Sequence, residues 1–121
     1  LLSGKMSRET TFPENDHRNY NRHGDAFDVG ETFSGVDYDK GLQAVDELRE
    51  MLPPGMTMAQ FALRWILEFD DVTAAIPGAK SPKQVKDNIA ASMLEPLDEI
   101  QMADIRRIYN TYIRDDVHHR W

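Results

Sequence analysis

Residues 72–76, Val-Thr-Ala-Ala-Ile, form the one run in this chain that reads as a buried β-strand, and its solitude constrains any fold. The run is stopped by Pro77-Gly78 and flanked on both sides by helix-like sequence. A strand without neighbours carries unpaired N–H and C=O groups along both edges. Burying them unsatisfied costs on the order of 1–3 kcal/mol each. An apolar strand between helices belongs to a parallel sheet, whose other strands must come from elsewhere. The pattern thus predicts either part of a larger α/β unit or a chain that pairs with another copy of itself. The opening Leu1-Leu2-Ser3-Gly4-Lys5, with no initiating Met, points the same way, towards a chain cut from within a longer one.

Four helices are expected around that run. Leu42, Val45, Leu48 and Leu52 recur at spacings of three and four, predicting an amphipathic helix over 38–52 that Pro53-Pro54-Gly55 ends. A second begins at Thr57, which forms a capping-box pair with Gln60; Phe61, Ala62, Leu63, Trp65, Ile66 and Leu67 make it apolar on most sides. A third starts at Ser81, with Pro82 at its first position and Gln84 completing a second capping box, and directs Val85 and Ile89 to the core. The last starts near Asp98 and carries Ile105, Ile108, Tyr109 and Tyr112 at helical spacing. Residues 1–37 are polar and without a period, which predicts a long loop. Residues 38–113 hold the helices and the strand, and 114–121 form a charged tail.

Composition narrows function mainly by exclusion. A net charge of −7 speaks against nucleic acid, which needs a concentrated basic face. It gives no hint of an anionic membrane, and no apolar run approaches the ~18 residues of a spanning helix. The absence of cysteine rules out disulfides, thiolate catalysis and Cys-based zinc sites, and fits a cytoplasmic setting. His118-His119, without a convergent carboxylate, is read as surface, and no metal site is expected.

The stretch from Ile76 to Asn88 carries the most chemistry. It follows the strand, turns at Gly78 and opens a helix whose first N–H groups point back at the turn, an arrangement suited to an anion. Lys80 adds a mobile positive charge just before the Ser81 cap. Gln84 and Asn88, one turn apart, reach the same side. These features suit a phosphate with an adjoining polar ring. Capping alone also explains Ser81 and Gln84, and solubility alone explains Lys80, so spacing leaves both readings open.

The same run resembles the cofactor segment of the aldo-keto reductases, in which an Ile-Pro-Gly turn after the last barrel strand leads into a helix bearing Gln, an acidic residue and Asn. Leu1-Leu2-Ser3-Gly4-Lys5 is similar to the family's segment after strand seven. Phe12-Pro13, Asp16 and Arg18 resemble the loop beyond it, and Thr57, Ala59-Gln60, Ala62-Leu63 and Trp65 the next helix. The likeness runs in order to about Ile108. It implies the C-terminal portion of a (β/α)8 TIM barrel, a fold of ~250 residues, mostly helical here with one strand at about 72–76. The 1–37 segment becomes the loop after strand seven, and 72–76 strand eight.

The resemblance also implies NADP(H) as cofactor. Ser3, Gly4 and Lys5 would line the pyrophosphate path, with Arg18 or Arg22 closing over the phosphate from the loop. Gly78 would permit close approach, Lys80 and Ser81 would hold the 2′-phosphate, and Gln84, Asp87 and Asn88 would face the ribose and adenine. Asp87 stands where the family commonly has Glu. The complete family enzyme reduces a carbonyl or aldehyde by hydride transfer, with a tyrosine as proton donor. Its catalytic Asp, Tyr, Lys and His lie on earlier strands and their motifs are absent here, so no catalytic residue is assigned and no turnover is expected of this chain alone. Tyr38, Tyr109 and Tyr112 fall on helices or their edges and are not proton-donor candidates. The other readings are a non-catalytic binding or regulatory module and a self-associating helical domain.

Overall fold

The computed structural model describes residues 1–120. Its helices are α1 (His17–Tyr20), α2 (Tyr38–Glu50), α3 (Met58–Ile66), α4 (Pro82–Ala90), α5 (Glu99–Ile108) and α6 (Arg114–Val117). Each of the longer ones starts where a side chain satisfies an N–H that the helix itself cannot. Asp37 caps α2 by accepting from the N–H groups of Asp39 and Lys40. Thr57 and Gln60 form the expected reciprocal capping box on α3, and Asp98 and Gln101 form another on α5. No helix among the described residues is long and apolar enough to cross a membrane.

The core lies where the apolar stripes of α2, α3 and α5 meet. Val45, Met58, Phe61 and Leu97 are buried there, with Leu48, Leu52, Trp65, Met102 and Ile105 packed around them. The spacing that predicted α2 thus names its inner face. Around α3 the remaining apolar side chains are only half-buried, so the demand of that helix for cover on several sides is incompletely met.

Three expectations need correction. The run 72–76 has no regular structure and pairs with nothing, and the described residues contain no strand at all. With no second strand to supply a ladder, its polar backbone stays in water, and Ile76 is 98% exposed. Val85 and Ile89 do not face a core: both are exposed on α4, because the sheet they would cover is not there. Gln84 makes only half a capping box. Its N–H donates to Ser81 Oγ at 3.3 Å, but its side-chain oxygen accepts from the N–H of Lys80, not of Ser81.

Residues 1–37 contain α1 and two 3₁₀ turns, Val29–Glu31 and Phe33–Gly35, within otherwise irregular chain. Buried Asn21 organises them. Its side-chain oxygen accepts from the N–H groups of Ala26 and Phe27, and its amide donates to the hydroxyl of buried Thr32. At the other end, α5 passes through a π-helical turn, Tyr109–Ile113, into α6 and a final 3₁₀ turn, His118–Arg120. The tail is therefore packed, with Val117 buried and Asp116 bonded to both Lys40 Nζ and the N–H of Asp37. Trp121 lies outside the described residues.

Candidate functional site

The segment 78–88 is built around the start of α4. Ser81 adopts extended backbone as N-cap, Pro82 fixes the first helical residue, and the helix runs for 9 residues. Gln84 and Asn88 fold back along one side, as their spacing requires. Gln84 Oε1 lies 2.5 Å from the Lys80 nitrogen, and Asn88 Nδ2 donates to the Gly78 carbonyl at 3.5 Å. The two amides thus hold the turn from beneath while Lys80 and Ser81 remain exposed. Nothing lies within 4 Å of where a Cβ would stand on Gly78, so the turn is open to close approach. By position, the second-residue N–H of α4, on Lys83, has no acceptor within the helix.

Asp87 turns to its own helix, where its carboxylate pairs with Lys83 Nζ at 2.6 Å. Its carbonyl accepts from Gln60 Nε2 at 3.1 Å, fastening α4 to the first turn of α3. Gly4 meets the same turn from the other side: with φ +69° it takes a left-handed conformation, and a Cβ there would stand 3.4 Å from Met58 Cβ. The Ser3–Lys5 segment and the α4 segment therefore flank one helix end, that of α3.

Lys5 opens onto a polar hollow of 280 Å³ that it shares with Arg8, Glu9, Asp46 and Arg49. Arg8 and Arg49 were not singled out from the sequence. The signal was available for Arg49, three residues from Asp46 on the face of α2 next to Leu42. Arg49 pairs with Asp46 at 2.9 Å. The hydroxyl of Ser7 donates to Glu9 and holds its carboxyl below the usual range.

Arg18 is not brought to these groups. Its guanidinium pairs with Asp16, which also caps α1 by accepting from the Arg18 N–H, and lies 4.6 Å from the Phe12 ring centre. Those Arg18 contacts hold the Asp16 carboxyl far below its ordinary value. Among the described residues no hydrogen bond or ion pair joins Arg18 to residues 78–88. The tyrosines are likewise engaged elsewhere. Tyr38 donates to the Ser7 carbonyl at 2.9 Å, Tyr109 lies 3.0 Å from His118 Nδ1, and Tyr112 donates to Glu47 at 2.5 Å. The Glu47 carboxylate pushes the Tyr112 phenol up, the opposite of what a proton donor requires.

An exposed cation and a helix N-terminus stand beside an amide-braced turn, and the described residues form helices and no sheet. Such an arrangement can receive a small anion. The Aldo/keto reductase family model matches residues 1–110, and the chain belongs to that family. No curated protein and no solved structure gave a match to the chain.

Proposed function

We propose that this chain is the NADP(H)-holding, C-terminal portion of an aldo-keto reductase barrel that reduces carbonyl or aldehyde substrates by hydride transfer. The observation that carries the reading is the pairing of Gln84 and Asn88 beneath the Gly78–Lys80 turn, which leaves Lys80 exposed beside the start of α4. In this reading Lys80 and the N–H groups near Ser81 receive the 2′-phosphate, and Gln84 and Asn88 face the adenosine. Ser3, Gly4 and Lys5 lie along the pyrophosphate. The residues fit such a group chemically: an open glycine, a mobile ammonium, a helix N-terminus and two amides. The bound nicotinamide would supply the hydride; the residues of this chain bind and orient the adenosine end. Arg18 has a part only if it leaves Asp16, and Asp87 only if it leaves Lys83. The run 72–76 takes its place as strand eight once neighbouring strands complete its ladder. The cytoplasm, with its pool of reduced NADP(H), is the proposed setting.

Lys80→Ala tests the assignment. Loss of one charge-assisted contact to phosphate predicts about a tenfold weaker NADPH affinity, with NADH little changed, in a fluorescence titration. Equal losses for both nucleotides would remove Lys80 from the 2′-phosphate.

The exposed apolar residues Ile76, Ile89 and Met93 favour a second reading, in which copies of the chain associate over this face. Sedimentation velocity decides between them. A concentration-dependent dimer lost in Ile76→Lys supports association, whereas a monomer throughout rejects it.

A further inference from the structure

Between α2, α3 and α5 lies a largely apolar hollow of 570 Å³, whose lining includes Phe61, Trp65 and Ile105. One of its walls is the turn Phe33–Gly35 with Val36. That turn is strained: Phe33 has φ +51° and Ser34 φ +58°, two consecutive side-chain-bearing residues in the left-handed region. Such backbone persists only where its surroundings hold it.

Two sets of contacts hold this turn. From one side the Phe33 ring stands 4.8 Å from Tyr38 and 6.0 Å from Phe12. From the other comes the end of the chain. Arg120 Nη1 bonds to Asp28 Oδ1 at 3.0 Å, and the same Asp28 oxygen accepts from the N–H of Gly30. The guanidinium rests on two glycines. A Cβ on Gly30 would stand 2.6 Å from Arg120 Nη1, and one on Gly35 3.6 Å from its Cζ. Gly30 has no positive φ that would demand glycine, so a side chain there would act by displacing the ends of Arg120 and Asp28.

We propose that the Arg120–Asp28 pair is a latch, which keeps the strained Phe33–Gly35 turn in place as a wall of the apolar hollow and opens the hollow when it releases. The pair is partly exposed, with side chains 35% and 69% accessible. Its hold is correspondingly weak and falls with ionic strength, as a reversible catch requires. The adjoining tail is anchored separately by buried Val117 and by Asp116, so release at Arg120 loosens one side of the turn without undocking α6, which also packs against it.

Hydrogen exchange on the whole chain tests this. The N–H groups of Thr32, Gly35 and Val36, bonded respectively to the Val29, Thr32 and Phe33 carbonyls within these turns, report the wall. The Phe61 N–H in α3 is the reference. Arg120→Ala is expected to speed exchange at the wall by roughly two- to fivefold, the scale of an exposed ion pair. It leaves Phe61 unchanged and raises the fluorescence of added 1-anilinonaphthalene-8-sulfonate. Gly30→Ala displaces the guanidinium without removing a charge and should match it, with no further gain in the double variant. Equal acceleration at Phe61, unchanged exchange at the wall, unchanged dye fluorescence, or additive effects of the two substitutions would each overturn the latch.

Discussion

Phe61 is the side chain on which most of the packing converges: it is 2% exposed and sits among Val45, Met58 and Leu97. Phe61→Ala is expected to cost about 3–5 kcal/mol in urea denaturation, the range for emptying a buried aromatic position. Thr57→Ala removes the acceptor for the Gln60 N–H and should cost about 1 kcal/mol by the same measurement. Individual residues were legible in the sequence to the extent that their partners are local. Thr57 and Gln60 found each other because a capping box is closed within four residues. The Gln84 side chain did not reach the Ser81 N–H: choosing between adjacent N–H groups depends on the backbone path through Lys80, which residue type does not encode. The Arg18–Asp16 pair is local as well, yet it was read outwards, towards a phosphate, because two opposite charges in a loop do not announce whether they are already satisfied.

At the level of elements, α2, α3 and α5 were readable because a 3.6-residue period survives whatever they pack against. The start of α4 was readable too, from Ser81 and Pro82, but its buried face and the run 72–76 were not, since their predicted burial presupposed a sheet. Val85→Lys therefore separates the two situations. With the α4 face open to water, the substitution should change the melting free energy of this chain by no more than about 0.5 kcal/mol. A loss of several kcal/mol would mean the face is covered in solution. The candidate site shares this division. Its α4 half, with Gly78, Lys80, Ser81, Gln84 and Asn88, was visible as one continuous motif, whereas its approach to Ser3–Lys5 around the first turn of α3 depends on long-range packing.

For the molecule as a whole, acid is the sharpest stress. Asp16, Asp28, Glu47 and Asp116 all have carboxyls held below their ordinary values. The leading causes are Arg18, the Gly30 N–H, the Tyr112 hydroxyl and Lys40 respectively. A folded value below the unfolded one means that the unfolded chain binds protons more readily. Their contribution is complete above the unfolded values of 3.8 for Asp and 4.5 for Glu, and is lost as pH falls through the lower folded ones. Thermal melts should show a plateau above about pH 5 and a decline beneath it, less steep in Asp116→Asn. Equal slopes for the two proteins would exclude Asp116 from the effect. Three of these carboxylates, Asp28, Glu47 and Asp116, pair with groups far along the chain, so acid loosens its two ends together.

The π turn at Tyr109–Ile113 fits one more residue into a helical turn than an α-helix would. Removing a residue there would close it to an ordinary α turn. Removing one from α5, where no wide turn absorbs the change, would preserve helicity but rotate everything downstream by about 100°. Val117 would swing out of its pocket and Asp116 away from Lys40, though neither had been altered. The aim of the chain's last seven described residues is thus set by a count rather than by any one side chain. A one-residue deletion within α5 should therefore do more harm to the docked end than one inside this turn.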